Sequence, residues 1–178
     1  AEKEKFKNLL VYDAINKILT KNKILAPKLY SENYIQNCIE IEDFGNKTIF
    51  TELKKKRNNK FVHFKKIISL LIKIQSIKDR KINTFKNNNY YIPKYDTHTL
   101  IKETNLFCDW YIKKKFSKIA SDKFSNQFKK IIKILTSNLR MKNNVFVHRD
   151  FHVSNLMLVK KKIGVLDSQD ALIGNRAY

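Results

Sequence analysis

Three short apolar segments near the end of the chain constrain its fold more than any other feature. They are Val145-Phe146-Val147, Leu156-Met157-Leu158-Val159 and Ile163-Gly164-Val165-Leu166. Short apolar runs bounded by polar turns are typical of buried strands. We therefore predict three β-strands here, with residues 148–155 forming a polar loop between the first two.

The start of the chain predicts a helix followed by a hairpin. Apolar residues recur at steps of three and four over residues 6–19, which indicates one helical face ending near Asn22. Pro27 disfavours helix for the residue before it, so extended chain should follow. Residues 34–42 alternate in part and predict the second strand of a hairpin, which Gly45 closes.

Helices dominate the middle of the chain. Helical spacing predicts helices over residues 62–77 and 99–116, and a further one over residues 122–139 with Ser121 as its N-cap. We expect the aliphatic face of the first of these helices to be core. Residues 83–93 show no period and are predicted to be loop.

The composition favours a single globular unit in a reducing cytoplasm. The chain has 178 residues, of which 43% are hydrophobic, and these suffice for one core. We expect no membrane span, because the best apolar run, residues 67–74, is short and contains Lys73. The first residues lack the pattern of a secretory signal, and Cys38 and Cys108 have no metal-ligand spacing.

A formal net charge of +21 raises nucleic acid as a partner. The lysines are dispersed in small runs along the whole chain instead of forming one dense arm. We therefore favour a solvated basic surface and do not expect nucleic-acid binding. A basic binding module or degenerate remnant stays open as the alternative to an enzyme.

The polar residues beside the three predicted strands suit phosphoryl transfer. Such transfer needs an aligned acceptor hydroxyl and Mg²⁺ held against the phosphates. Asp150 follows a strand and can orient a hydroxyl, whether as a full base or only as a positioning group. Asn155 lies five residues later and Asp167 ends the third strand, where oxygen ligands can bind Mg²⁺. An isolated Asp or Asn in a loop is usually a turn former, so the argument depends on their joint spacing.

Several stretches resemble the aminoglycoside phosphotransferase and choline kinase-like family. Residues 148–157, H-R-D-F-H-V-S-N-L-M, resemble its catalytic loop, and residues 167–178, D-S-Q-D-A-L-I-G-N-R-A-Y, are most similar to bacterial kinases of cell-wall amino sugars. Residues 39–45, I-E-I-E-D-F-G, resemble the last N-lobe strand and hinge of that group. Residues 106–111 resemble a helix of its C-terminal lobe.

This resemblance implies an α+β, protein-kinase-like fold. Residues 1–45 would be the helix and hairpin of an N-terminal lobe plus hinge, and residues 46–178 a mostly helical C-terminal lobe with short strands. Matched by motif, Asp150 is the catalytic residue and Asn155 and Asp167 are the metal ligands. The adenine would contact the backbone at four hinge residues: Glu40, Ile41, Glu42 and Asp43. ATP and Mg²⁺ are the implied cofactors.

The resemblance also implies a small-molecule acceptor. The expected activity is transfer of the ATP γ-phosphate to a hydroxyl of N-acetylmuramate or N-acetylglucosamine, with aminoglycoside or choline-like acceptors as neighbours. The family builds its acceptor site around residues 97–116, where Glu103 and Asp109 stand among many lysines, so an uncharged or anionic sugar fits better than a polycationic drug.

Several positions depart from the family or stay unassigned. Ser168 stands where relatives usually carry an aromatic residue, and Asp170 is open between substrate binding and loop structure. No glycine-bearing phosphate loop or strand lysine precedes the first helix, whose Glu2, Glu4 and Asp13 are all candidates for the acid that pairs with that lysine. We expect a fragment truncated at both ends, which by itself is inactive and binds nucleotide poorly.

Overall fold

The protein is described by a computed structural model that covers residues 2–55, 59–138 and 144–177, without the side chains of residues 2–7 and 138. Two compact units account for the chain. The first contains Ala1–Pro93 and Asn144–Tyr178, and the second contains Lys94–Asn143. Helices and short antiparallel strands occur together, so the fold class is α+β.

The described residues of the first unit form three helices and eight short strands. The helices are α1 (Glu2–Lys21), α2 (Ile49–Lys54) and α3 (Lys60–Gln75). The strands are β1 (Leu29–Asn33), β2 (Cys38–Ile41), β3 (Lys81–Asn83), β4 (Asn89–Tyr91), β5 (Val145–Val147), β6 (Leu156–Val159), β7 (Lys162–Val165) and β8 (Leu172–Gly174). Four antiparallel pairs result: β1 with β2, β3 with β4, β5 with β8, and β6 with β7.

The predicted first helix, first hairpin and three C-terminal strands are all confirmed. The second strand of the hairpin is shorter than predicted because residues 34–37 form the turn, with Asn37 in the left-handed region at φ 57°. Neither α2 nor β8 was predicted. Strand β8 has only three residues, and its fully buried pairing with β5 is a long-range contact that the local pattern cannot reveal.

The core of the first unit lies where α1 meets the C-terminal strands. Ile15, Ile18 and Leu19 of α1 are fully buried, and they belong to one cluster with Phe146 of β5 and Val165 of β7. Burying each such side chain stabilises the fold by about 1.5–3 kcal/mol relative to exposure. This cluster fixes the strands on either side of the polar loop.

The prediction of a loop over residues 83–93 holds for residues 84–88 and 92–93 but is wrong for Asn83, which ends β3, and for residues 89–91, which form β4 of the same hairpin. Asn87 adopts φ 58° in the turn, and the Asn87 backbone N–H donates to the Thr84 carbonyl at 3.0 Å. Ile82 and Tyr90 are paired across the hairpin and pack against the core. Each strand has three residues, too few to show a period in the sequence.

The helix predicted over residues 62–77 is confirmed as α3, but its aliphatic face is only partly core. Ile74 is buried and Ile67 packs against the core, whereas Ile68 and Ile72 are more than half exposed. Apolar residues cover more than one side of this helix, so the sequence pattern does not determine which side meets the core.

The second unit is helical. It contains α4 (Thr97–Leu106), a π-helical segment (Phe107–Ile112), α5 (Lys113–Lys115) and α6 (Lys118–Asn138). Helix was predicted over both stretches, although the π-helical turn was not. Ser121 is not an N-cap, because α6 begins at Lys118. The buried Ser121 hydroxyl instead donates to the Ile112 carbonyl at 3.3 Å. No helix among the described residues is both long and apolar enough to cross a membrane.

Candidate functional site

The polar loop begins where β5 leaves the core. All three residues of β5 are buried, and so is His148, which follows directly. Arg149 then adopts φ 71°, in the left-handed region that few side chains occupy. This turn of the backbone brings the half-buried Asp150 to the start of the loop.

Short backbone hydrogen bonds give the loop a defined shape. The His152 N–H donates to the Asp150 carbonyl and the Asn155 N–H donates to the His152 carbonyl, both at 2.9 Å. The Leu166 N–H donates to the Asn155 carbonyl at 2.9 Å, which connects the loop to the end of β7. The residues between Asp150 and Asn155 therefore form a tight turn beside the segment that carries Asp167.

The side chain of Asn155 brings the predicted site residues together. Its Nδ2 donates to the Asp150 carbonyl at 3.2 Å and lies 3.4 Å from Oδ2 of Asp167. The same nitrogen lies 3.3 Å from Nε2 of His152. The amide of Asn155 is thus the common neighbour of Asp150 and Asp167, the two other predicted site residues.

Asp167 presents an exposed carboxylate from a constrained backbone. It adopts φ 59°, a conformation that Asp tolerates better than most residues. Oδ1 accepts a hydrogen bond from Nε2 of Gln169 at 2.6 Å. With Oδ2 beside Asn155, both carboxylate oxygens face polar neighbours.

The oxygen-bearing side chains at this place fit Mg²⁺ better than a transition metal. Among the described residues there is no cluster of three or more His, Cys, Asp or Glu side chains that could hold a metal ion. Mg²⁺ is usually bound through one or two protein oxygens, with waters and substrate phosphates completing the octahedron. By residue type Asn155 and Asp167 match that ligand set, with Asn155 binding through Oδ1 once its amide turns that oxygen, instead of Nδ2, toward Asp167. The fit also requires a phosphate-bearing ligand.

His148 is buried beneath the loop. Burial lowers the pKa of its imidazole, and the negative charges of Asp150 and Asp167 oppose that effect only in part. Neither ring nitrogen makes a hydrogen bond of good geometry to a described protein atom, although the backbone of Leu166 lies nearby. The edge of the imidazole packs against Phe151, with ring centroids 6.2 Å apart. Its role in the structure is packing beneath the loop.

Asp170 belongs to a separate set of contacts at the edge of the site. Its Oδ1 lies 3.6 Å from Nη1 of Arg149. Burial, with a smaller contribution from the Asp170 charge, raises the pKa of Tyr90 to about 12. The Arg149–Asp170 ion pair connects the residue before Asp150 with the segment after Asp167, and the sequence alone did not reveal it.

The four hinge residues have a different environment. Glu40 and Ile41 end β2, and the Glu42 N–H donates to the Lys28 carbonyl at 2.8 Å. No hydrogen bond or ion pair among the described residues connects the Glu40–Asp43 stretch to Asp150, Asn155 or Asp167. Their predicted contact with adenine stays a prediction.

Packing after the hinge connects it indirectly to the loop. The Phe44 ring covers Gly164 of β7 so closely that a Cβ there would lie 2.5 Å from its Cε2. The Phe50 N–H donates to the Val153 carbonyl at 3.0 Å, and the Leu158 N–H donates to the Lys47 carbonyl at 2.8 Å. The segment after the hinge is thus held against the strands and loop of the candidate site.

Sequence reasoning missed two residues of α1 that approach the site. Asn16 is buried and accepts a hydrogen bond from the Ser168 hydroxyl. Tyr12, one turn earlier, interacts with Asn16, and the charge of Asp167 contributes to the raised pKa of its phenol, after burial as the main cause. A polar residue inside the apolar face of α1 was the available signal.

Of the three acids proposed on α1, only Asp13 has a described side chain. It is buried, and its Oδ2 lies 2.7 Å from Nζ of Lys17 on the same helix. The side chains of Glu2 and Glu4 lie outside the described part of the structure. The choice among these acids therefore stays open.

Comparison with known proteins identifies a family for most of the chain. The model of a phosphotransferase enzyme family matches residues 52–178. The chain is similar to proteins named N-acetylmuramate/N-acetylglucosamine kinase: it is 39% identical over 87 residues to that of Neisseria meningitidis, covering 49% of this chain and 26% of the relative. It is 28% identical over 153 residues to that of Pseudomonas aeruginosa, covering 86% and 42%.

A third relative extends the match over nearly the whole chain. The Pseudomonas putida protein of the same name is 25% identical over 171 residues, covering 96% of this chain and 47% of the relative. The chain thus spans less than half the length of the curated relatives it matches. Because the family model covers more than two thirds of the chain, including Asp150, Asn155 and Asp167, the chain belongs to the phosphotransferase enzyme family.

Proposed function

We propose that this chain carries the acceptor-side and metal-binding part of an ATP-dependent kinase that phosphorylates an amino sugar. The observation that carries the proposal is the Asn155 amide, which lies within 3.4 Å of both the Asp150 carbonyl and the Asp167 carboxylate. A phosphoryl-transfer site needs an acceptor-orienting acid close to metal-binding oxygens, and the contact of Asn155 with the Asp150 backbone and the Asp167 carboxylate places the three residues side by side.

Each residue would have one role. Mg²⁺, when bound, neutralises charge on the phosphates, and Asn155 and Asp167 would hold it. Asp150 would accept a hydrogen bond from the acceptor hydroxyl and aim its oxygen at the γ-phosphorus. As the new O–P bond forms, the bond from the γ-phosphorus to the β–γ bridging oxygen breaks, ADP leaves, and the hydroxyl proton passes to Asp150 or to solvent.

We also propose the backbone of the Glu40–Asp43 stretch as the adenine-contacting segment. Its support is the ordered β2 strand and the packing of Phe44 on Gly164, which fix the segment relative to β7. We assign residues 1–45 to an N-terminal lobe and residues 46–178 to a C-terminal lobe. Use of ATP and two free thiols, Cys38 and Cys108, favour a cytoplasmic location.

The names of the three relatives support N-acetylmuramate or N-acetylglucosamine as the acceptor. The acids of the second unit favour the same choice over a polycation. Glu103 accepts a hydrogen bond from the Tyr95 hydroxyl at 2.6 Å, and Asp109 is paired with Lys113 at 2.6 Å. Lys113 offsets the charge of Asp109, which leaves less negative charge to attract amino groups, and the Tyr95 hydroxyl occupies one oxygen of Glu103 without neutralising it.

The test is ATP turnover by the full-length gene product with amino sugars, choline and aminoglycosides as acceptors. Asp150→Ala should lower kcat by about 10²–10⁴-fold, the usual contribution of a positioned acid or base, and should leave nucleotide binding largely intact. Asp122→Ala, at an exposed carboxylate of α6, is the matched control. If Asp150→Ala weakened nucleotide binding but left kcat unchanged, the proposed role would be contradicted.

A salt titration separates the kinase from the nucleic-acid-binding alternative. A dedicated nucleic-acid face would give an affinity for RNA or DNA that falls steeply with salt, since each phosphate contact releases counterions. We expect weak binding without sequence preference. Tight binding combined with no turnover on any acceptor would favour the alternative.

A further inference from the structure

Ser168, the residue directly after Asp167, is fully buried and polar. Its hydroxyl donates to Oδ1 of Asn16 at 2.6 Å, a contact between residues 152 positions apart in the chain. Burying a hydroxyl without a hydrogen-bond partner would destabilise the fold. The bond to Asn16 offsets that desolvation cost and so allows a serine at this position. The segment that carries Asp167 is thereby attached to α1.

Both ends of the Asn16 amide are in use. Its Nδ2 donates to the Pro27 carbonyl at 3.2 Å, while Oδ1 accepts from Ser168. The Asn16 side chain is itself buried, where hydrogen bonds are strong and unpaired polar groups are costly. The donor to Pro27 fixes which way the amide faces, and therefore directs Oδ1 at Ser168.

Asp167 needs such support because its backbone conformation is unfavourable. At φ 59° it lies in the left-handed region, which persists when the surrounding structure imposes it. On one side, the Leu166 N–H donates to Asn155. On the other side, Ser168 supplies the contact with α1 and its carbonyl accepts from the Ala171 N–H at 3.1 Å. The carboxylate is thus held between two anchors, of which one belongs to α1.

We propose that Asn16 is a positioning residue for Asp167, which it holds through Ser168 in the conformation that binds the metal. This inference rests on the proposed function, since it assumes that Asp167 binds Mg²⁺. Asn16 would act through Ser168 and not as a metal ligand. The metal affinity of the site therefore depends on a helix at the opposite end of the sequence, through the Asn16–Ser168 hydrogen bond.

The experiment uses the full-length gene product and compares Ser168→Ala, Asn16→Ala and the double variant. Each single change should raise the Mg²⁺ concentration for half-maximal turnover about tenfold. The double variant should be no worse than the poorer single variant, because both changes break the same contact. Ser168→Cys keeps nearly the same volume with a weaker donor, so it should fold and give a smaller increase.

Two control variants separate positioning from loss of stability. Ile18→Val removes a methylene from the buried face of α1 and should lower the melting temperature without changing the Mg²⁺ requirement. Thr20→Ala removes a hydroxyl of α1 that bonds only its own helix, to the carbonyls of Asn16 and Lys17, and should change neither. A purely structural role for Asn16 would make Asn16→Ala behave like Ile18→Val.

A readout without turnover is Mn²⁺ binding, measured by electron paramagnetic resonance with a non-hydrolysable ATP analogue. Ser168→Ala and Asn16→Ala should weaken Mn²⁺ binding by about the same factor as they raise the Mg²⁺ requirement. If the parent protein is active and both variants keep its metal constants within twofold, the inference fails and the proposed function stands. If the parent protein neither binds the metal–nucleotide nor transfers phosphate, both fail.

Discussion

The loop around Asp150 and the hinge segment around Glu40 are both assigned to the same reaction, but they differ in how they are built. In the loop, side chains meet: the Asn155 amide lies against the Asp150 carbonyl and the Asp167 carboxylate. In the hinge, the side-chain hydrogen bonds between described residues stay within the hairpin or the turn that follows it, as when Glu40 accepts from the Ser31 hydroxyl at 2.9 Å.

This difference explains why one region is easier to infer than the other. Chemistry carried by side chains leaves residue types at fixed offsets, whereas chemistry carried by backbone groups places little demand on the side chains. The comparison predicts that side-chain substitutions will be severe in the loop and mild in the hinge.

After Asp150→Ala, the largest expected effect is that of Asp167→Asn in the full-length protein. Removing the charge while keeping the shape should lower kcat by about 10²–10³-fold, in the range found for loss of one electrostatic contact to the reacting group. Steady-state kinetics at several Mg²⁺ concentrations would measure it. If Asp167→Asn kept a normal kcat at the Mg²⁺ concentration that the unsubstituted protein needs, side-chain substitutions would not be more severe in the loop than in the hinge.

Gly164→Ala tests the place where the two regions meet. The added Cβ would lie 2.5 Å from Cε2 of Phe44, so the ring must shift, at a cost of about 1–3 kcal/mol in the free energy of unfolding. Denaturant unfolding would show it, and Phe44→Leu in the same chain should relieve part of the loss. Gly45→Ala is the control: nothing lies within 4 Å of its Cβ, and only the φ of 74° costs, about 1 kcal/mol.

The pH dependence of the folding stability should reveal His148, the histidine buried beneath the loop. Because burial lowers the pKa of His148 in the folded state, the neutral imidazole contributes stability above the unfolded pKa of about 6.5. That contribution is lost as the pH falls through the lower folded value. His148→Phe should therefore flatten the decrease in melting temperature between about pH 7 and pH 5. His98→Gln, at an exposed histidine, should leave the decrease unchanged.

The smallest effect is expected in the hinge. Glu40→Ala should change the KM for ATP by less than about threefold, because an exposed carboxylate that bonds a surface hydroxyl contributes little. Glu42→Pro, which removes the N–H that donates to Lys28, should raise the KM for ATP far more. Equal effects of the two substitutions would mean that the hinge acts through side chains after all.

Much of the fold was predictable where one element carries its own pattern. Helix α1 follows from its three- and four-residue periodicity, and the strands β5, β6 and β7 follow from short apolar runs between polar turns; all of them contribute to one core. The hairpin of β3 and β4 was not predictable, because three-residue strands carry too few residues to show alternation. The core-facing side of α3 was also undetermined, since apolar residues occur on several of its sides.

The sequence by itself determined the chemical groups of the candidate site: Asp150, Asn155 and Asp167 stand at offsets that one loop and one strand pair must bring together. Only the tertiary structure decided what holds them. The Asn16–Ser168 hydrogen bond and the Arg149–Asp170 ion pair join residues whose contact depends on the packing of α1 and on the turns at Arg149 and Asp167. Such contacts leave no spacing in the sequence, because their geometry exists only after the chain has folded.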